Sequence, residues 1–151
     1  LSEQSFPEKW KKEITLLDSA ITKHSIEEEL VLYRATSERI IKNITRDTSF
    51  KYRAYMSTTI SQSHLYRHLD FSYEPPAVLI IKCPPGTNMA LMEGNIAHGN
   101  MEHERLLPRN CMFKVNNERV LTDISEISRY TIFCDPRYNK LVEFELELLS
   151  I

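Results

Sequence analysis

Met101-Glu102-His103-Glu104-Arg105-Leu106-Leu107-Pro108-Arg109-Asn110-Cys111-Met112-Phe113 is the stretch on which the reading of this 151-residue chain turns. Two carboxylates at i and i+2 enter an apolar run, which then meets a Pro-Arg-Asn turn. As a strand, its period of two aims Glu102 and Glu104 at the same side of a sheet, with His103 facing the other way. Acid at a strand entrance is ordinarily a solvated edge. Here it has company: Leu32-Tyr33-Arg34-Ala35 puts an arginine near the end of a short apolar strand, and Tyr55-Met56-Ser57-Thr58-Thr59 ends another strand on three hydroxyls.

Working outward, the N-terminal part reads as helical. Ser5-Phe6-Pro7-Glu8 is a helix start with Ser5 as cap, and Phe6, Trp10, Ile14, Leu17 and Ile21 make one apolar stripe, so this helix is expected to lie as a lid on the core. Residues 30–35 form a strand carrying Arg34. Ser37 caps a second helix with Ile40, Ile41 and Ile44 facing inward, and 48–51 are loop. Residues 52–59 alternate as a strand. Ser61 caps a short third helix holding Leu65, Tyr66 and Leu69, followed by a proline-closed loop over 70–76 that carries Phe71 and Tyr73.

The β-branched run 77–83 is a buried strand, and 87–100, with Gly94 and Gly99, is a loop. Strands are expected at 111–115, 119–122, 130–135 and 140–149. The last sets Val142, Phe144, Leu146 and Leu148 on one face against Glu143, Glu145 and Glu147 on the other. Helices early and about eight short strands later describe an α+β fold. With Gly86, Gly94 and Gly99 as its only glycines, the chain holds neither a G-x-G-x-x-G nor a Walker fingerprint.

Composition narrows the function. The chain is 42% hydrophobic and 26% charged, as in ordinary globular proteins, and suits one domain over residues 1–151; starting at Leu1, it is expected to be cut from something longer. Nineteen Lys and Arg stand against 21 Asp and Glu, a net charge of −2, and the basic residues are scattered, so nucleic acid is not an expected partner. No apolar run spans a bilayer, and no membrane association is expected. Cys83, Cys111 and Cys134 are odd in number and widely spaced, which reads as reduced core thiols. His64 and His68 sit at i and i+4, but no H-E-x-x-H or Cys-His cluster joins them, and no metal site is implied.

An arginine, then Ser-Thr-Thr, then Glu-x-Glu with Leu-Leu-Pro-Arg behind it, in this order and with these gaps, resembles the R-S-E class of mono-ADP-ribosyltransferases, many of them bacterial toxins and effectors. The resemblance covers about positions 30 to 115. It departs from the family where Ala35 stands for a frequent glycine and Thr59 for the usual serine; neither change removes a catalytic atom. It implies a split β-sandwich of short, mostly antiparallel strands, with NAD as substrate and no metal.

It also implies roles. Glu104 hydrogen-bonds a ribose hydroxyl and stabilises the oxocarbenium-like transition state. Arg34 holds the pyrophosphate, Ala35 meets the nicotinamide amide through its backbone, and Ser57 orients Glu104 while Thr58 completes the strand end. Phe71, with Tyr73 second, stacks on nicotinamide, and Arg67 is a second phosphate contact. Glu102 engages the acceptor; in Glu-x-Glu relatives that acceptor is usually an arginine. The expected protein is a monomeric domain, secreted or translocated into a host or competitor cell, that modifies a protein there. An NAD glycohydrolase on the same scaffold and a catalytically silent binding module are the alternatives.

Overall fold

The computed structural model describes residues 7–44, 48–69, 75–92, 104–130 and 140–150. Pro7 opens helix α1 (Glu8–Thr22), where its fixed φ and missing N–H cost nothing, and its carbonyl accepts from the N–H groups of Trp10 and Lys11. Ser5 and Phe6, read as cap and first apolar position, lie outside the described residues. The rest of the stripe does not form a lid: Ile21 is fully buried, Ile14 and Leu17 are half-buried, and Trp10 is 51% exposed. What fastens α1 is polar. Asp18 accepts from Arg109 Nη2 at 2.6 Å and Nε at 3.3 Å, and from the Tyr55 hydroxyl at 2.5 Å.

Strand β1 (Leu30–Ser37) runs into α2 (Glu38–Ile44), and Ser37 caps the helix by accepting from Ile40 N–H at 3.3 Å. Ile41 is buried but Ile40 is 51% exposed, because adjacent residues on a helix are turned about 100° apart and cannot share one face. The Ile44 side chain is not among those described. Residues 49–51, read as loop, join Tyr52, read as the start of the next strand, to form β2 (Ser49–Tyr52), paired with residues 111–114; four residues are too short a run for alternation to stand out. The strand read over 52–59 is two strands. After β2, residues 53–55 carry the chain to β3 (Met56–Thr59).

A 3-10 segment (Gln62–Arg67) follows, with Leu65 buried; Ser61 precedes it but makes no capping bond to its backbone. Strand β4 (Pro76–Cys83) is as expected, and Pro84-Pro85-Gly86-Thr87 closes it in a turn where Gly86 takes φ 89°, a conformation that penalises any side chain. β5 (Ala90–Leu91) lies within the segment read as loop, whose residues 93–100 are outside those described. β6 (Glu104–Leu107) and β7 (Cys111–Leu121) meet at a turn that Asn110 makes with φ 65°. The two strands expected at 111–115 and 119–122 are one: Asn116-Asn117-Glu118 is not a break but an exposed stretch with a register shift against β8 between Val115 and Asn117. Helix α3 (Ile124–Ile127), capped by Asp123, ends near Tyr130, and β8 (Leu141–Ser150) closes the fold. Of the strand expected at 130–135, only Tyr130 is described, and it is not in a strand.

The eight described strands follow the order β2-β7-β8-β4-β1-β3-β6-β5, antiparallel except for the β4–β8 pair. β1 and β3 share one bridge, Tyr33↔Thr59, so the sheet splits there into a five-strand half and a three-strand half. Both halves bury into one core: Met56 and Leu107 from the small half pack in the cluster formed by Leu32, Leu79, Phe113 and Phe144 of the large one. This is the split sandwich the resemblance implied.

The outer face of the large half is covered too, by Leu65, Ile127 and Tyr130 over Val78, Leu121 and Leu141, which explains why β4 is apolar on both faces. Glu143 faces the same way and is only 7% exposed; it accepts from the Tyr130 hydroxyl and from Arg119 Nε at 3.0 Å. Cys83 and Cys111 are buried thiols, and burial pushes them up to about 12 and about 11, the charge of Cys111 adding to the shift at Cys83. Neither is a nucleophile at neutral pH. Cys134 is outside the described residues.

Burial works to raise the pKa of Asp18, but the hydrogen bonds from Arg109 and Tyr55 and the Arg109 charge outweigh it and hold the carboxyl below its ordinary value. A depressed folded pKa means its contribution is present above the unfolded value, near 3.9 for an aspartate, and is lost as pH falls through the folded one. Asp18→Ala should therefore cost about 1–2 kcal/mol at neutral pH, after allowing for solvent screening, or about 2–6 °C in melting temperature. Thermal melts should show the gap between variant and parent narrowing as pH falls below the ordinary aspartate range; an equal gap at all pH values would assign the loss to packing instead.

Candidate active site

Pairing of β3 with β6 sets Thr59 opposite Glu104 and Ser57 opposite Leu106. With a period of two, these four side chains share one face while Met56 and Leu107 enter the core on the other. Ser57 and Glu104 are thus diagonal neighbours across the ladder, within reach of each other. The Ser57 hydroxyl donates to Glu104 Oε1 at 2.5 Å, which fixes the carboxylate's orientation. The middle hydroxyl of the triplet is committed to the backbone, Thr58 Oγ1 donating to Arg105 O at 2.7 Å. Thr59 Oγ1 accepts from Ser61 N–H at 3.1 Å and fixes the path out of the strand.

Where β1 and β3 part after their single bridge, a side chain takes over from the ladder. Arg34 Nη1 donates to Ser57 O at 2.8 Å, tying the cation to the residue that holds the anion. The parting opens a cleft of 510 Å³, within the range of about 300–1,000 Å³ usual for small-molecule sites. Arg34, Ala35, Ser57, Thr58 and Glu104, five of the residues singled out in the sequence, line it together.

Arg67 does not line the cleft; its Nε donates to the Tyr66 hydroxyl at 3.1 Å and its guanidinium lies over the Tyr66 ring. Glu102, Phe71 and Tyr73 lie outside the described residues. Sequence reasoning missed Tyr33, Thr59, Leu65, His64 and His68 as lining groups. The histidines carry a signal, their i, i+4 spacing, but by itself it points only towards metal binding. Among the described residues no three His, Cys, Asp or Glu side chains come together as a metal set.

Beyond the Met56–Leu107 end of the paired strands, Tyr55 precedes β3 and Arg109 follows β6. Arg109 lies 5.8 Å from the Tyr55 ring centroid, and both bind Asp18 of α1. Burial first, then Asp18, pushes the Tyr55 phenol up to about 12, so it stays a donor through any working pH. One carboxylate thereby braces the neighbouring ends of both site strands.

The arrangement can do two things. A guanidinium beside an open cleft can hold phosphate oxygens, and a carboxylate locked by a serine can stabilise positive charge developing on a sugar without first reorganising.

A family model matches this chain in sequence, and solved structures match it in fold. The family model for ADP-ribosyltransferase exoenzymes matches residues 2–133. No curated protein matches the sequence. Among solved structures, Plx2a, an ADP-ribosyltransferase toxin from Paenibacillus larvae, superposes with a TM-score of 0.68 at 17% identity, over 97% of this chain and 74% of that one. C3stau2 from S. aureus, solved with NAD, gives 0.68 at 15% identity over 98% and 74%. The enzymatic component C2-I of the C2-toxin from Clostridium botulinum gives 0.69 at 16% identity over 96% of this chain but 37% of its own. At such identities these likenesses speak to the fold, and the family rests on the sequence match. The chain belongs to the ADP-ribosyltransferase exoenzyme family, enzymes that use NAD to transfer ADP-ribose to proteins.

Proposed function

We propose that this chain is an R-S-E mono-ADP-ribosyltransferase domain that moves ADP-ribose from NAD to an arginine of a target protein, as a secreted or translocated bacterial effector or toxin. The observation that carries the reading is the Ser57–Glu104 hydrogen bond with Arg34 bound to the Ser57 carbonyl, all three at one cleft. Residues 1–151 act as one catalytic domain.

In this reading Arg34 binds the pyrophosphate, since a guanidinium offers phosphate a planar fork and stays charged. The backbone of Ala35, one residue on and also lining the cleft, meets the nicotinamide amide. Nicotinamide leaves as a neutral molecule, so no general acid is required. The C1′–N bond breaks with its electron pair leaving on nicotinamide, and Glu104, held by Ser57 and hydrogen-bonded to a ribose hydroxyl, stabilises the positive charge left on the sugar. Phe71 or Tyr73 stacks on nicotinamide. Glu102 takes the proton from the attacking guanidinium as its nitrogen forms the new bond to C1′; a carboxylate suits that acceptor in charge and receives the proton as the bond forms.

Glu104→Gln should lower NAD cleavage and protein labelling together by about 100- to 1,000-fold while NAD affinity stays within a few-fold. Ser57→Ala should lower kcat more than it raises KM for NAD, because the serine acts through the glutamate. Steady-state kinetics check both, and a Ser57→Ala variant with unchanged kcat would remove the serine from the mechanism.

Incubating the domain with labelled NAD and cell lysate, then mapping the modified residue by mass spectrometry, tests the reaction class and the acceptor. A labelled arginine supports the proposal; free ADP-ribose alone indicates a glycohydrolase, and neither product indicates a binding module. Glu102→Ala should abolish labelling yet spare much of the hydrolysis. Equal loss of both would refute its role toward the acceptor.

A further inference from the structure

Little within the sheet itself fixes where β3 lies. Its ladder to β6 has four residue pairs, Met56↔Leu107 to Thr59↔Glu104, and its other side has one bridge to β1 and the Arg34 bond to Ser57 O. The hydrogen bond from Ser57 Oγ to Glu104 Oε1 is 2.5 Å long. Constellations of this kind work only when held to within about 0.5 Å of the productive geometry, so the alignment of these two short strands matters.

The hold comes from α1, none of whose residues lines the cleft. Asp18 accepts two hydrogen bonds from Arg109 and one from the Tyr55 hydroxyl, whose oxygen also lies 3.3 Å from Ile14 O. Tyr55 stands two residues before Ser57, and Arg109 two residues after Leu107. The helix is tied in turn to the far side of β6. Ile21 near its end is fully buried, and the residues that follow bond to the turn after β4: Met89 N–H donates to His24 O at 3.1 Å, and Ile26 N–H to Thr87 O at 3.0 Å. From Met89 the chain enters β5, whose Ala90 and Leu91 pair with Leu106 and Arg105 of β6. Helix α1, β5, β6 and β3 thus form a closed ring of contacts, and Asp18 is the link that closes it.

Resting on the reading of Glu104 given above, we propose that Asp18 is a positioning residue for the transfer reaction. Through Tyr55 and Arg109 it sets the alignment of β3 with β6 at which Ser57 reaches Glu104, and so acts on the chemical step without touching substrate. A carboxylate suits this work because it accepts several hydrogen bonds at once, here from a phenol and from two nitrogens of one guanidinium, whose planar fork fixes direction as well as distance. Arg34 belongs to β1, so the hold on the pyrophosphate does not pass through this link.

The test is steady-state nicotinamide release from NAD by Asp18→Ala and Asp18→Asn, each alone and combined with Ser57→Ala, at a temperature well below every variant's melting transition. Asp18→Ala should lower kcat about 10-fold, with KM for NAD within about 2-fold of the parent. Asp18→Asn, which keeps one acceptor oxygen, should lose less. In the Ser57→Ala background, Asp18→Ala should add less than about 2-fold, because no serine remains to be aligned. Asp123→Ala, which removes the cap of α3 and touches none of these groups, should lower the melting temperature comparably and leave kcat at the parent value.

An unchanged kcat in Asp18→Ala, or a change in KM alone, overturns the proposal. Losses that multiply in full in the double variant, or an equal fall in kcat for Asp123→Ala, overturn it as well, since the effect would then be general destabilisation and not the alignment of Ser57. If Glu104→Gln or Ser57→Ala releases nicotinamide as fast as the parent, the reading of that pair falls and takes this proposal with it. An inactive Glu104→Gln beside fully active Asp18 variants removes this proposal alone.

Discussion

One bridge, Tyr33↔Thr59, holds the two halves of the sheet in register, and everything at the site depends on where it stops. A continuous ladder between β1 and β3 would have satisfied the Ser57 carbonyl with a backbone N–H and closed the cleft. Instead the strands part, and the Arg34 guanidinium supplies the missing donor. Ser57 is exposed, so burial does not force this bond; the split leaves its carbonyl outside the ladder, and the guanidinium that takes it is thereby held at the edge of the cleft. A guanidinium with five donors can bond that carbonyl and still present others to a ligand.

The split is stable because the apolar surfaces on either side of it face each other across a shared core. Met56 and Leu107 of the small half and Leu32, Leu79, Phe113 and Phe144 of the large one are all essentially buried. The strands that carry Ser57 and Glu104 therefore have one face packed and the other open. At one end of the pair, Asp18 binds Tyr55 and Arg109, residues just outside those two strands, so a helix that buries little apolar surface still bears on the site. In the proposed reaction, rigidity of this kind lets Ser57 hold the carboxylate in place before substrate arrives, which is the condition for electrostatic stabilisation to act without reorganisation cost.

Much of this is legible in the sequence. Arg34, Ser57 and Glu104 can be read because their order and spacing match a family pattern, and β4 and β8 because their apolar runs and alternation are long. The failures have local causes. β2 is too short for a periodic signal, and its partner, β7, is about sixty residues away in sequence. The polar Asn116-Asn117-Glu118 looks like a break because a bulged, solvent-facing stretch of strand has the composition of a turn. The burial of Glu143 is hidden because alternation cannot reveal that Tyr130 and Arg119 will cover that part of the face. The place of His64 and His68 in the cleft depends on how Leu65 packs against β1, a tertiary fact that no i, i+4 spacing contains.

The central claim is that Arg34, Ser57 and Glu104 work as one dinucleotide site. The most direct measurement is a crystal structure of the domain with a non-hydrolysable NAD analogue. The account predicts pyrophosphate oxygens on the Arg34 guanidinium and a nicotinamide-ribose hydroxyl within hydrogen-bonding distance of Glu104, the Ser57 bond intact. A dinucleotide bound elsewhere, or one whose ribose lies beyond reach of Glu104 in this cleft, would contradict it.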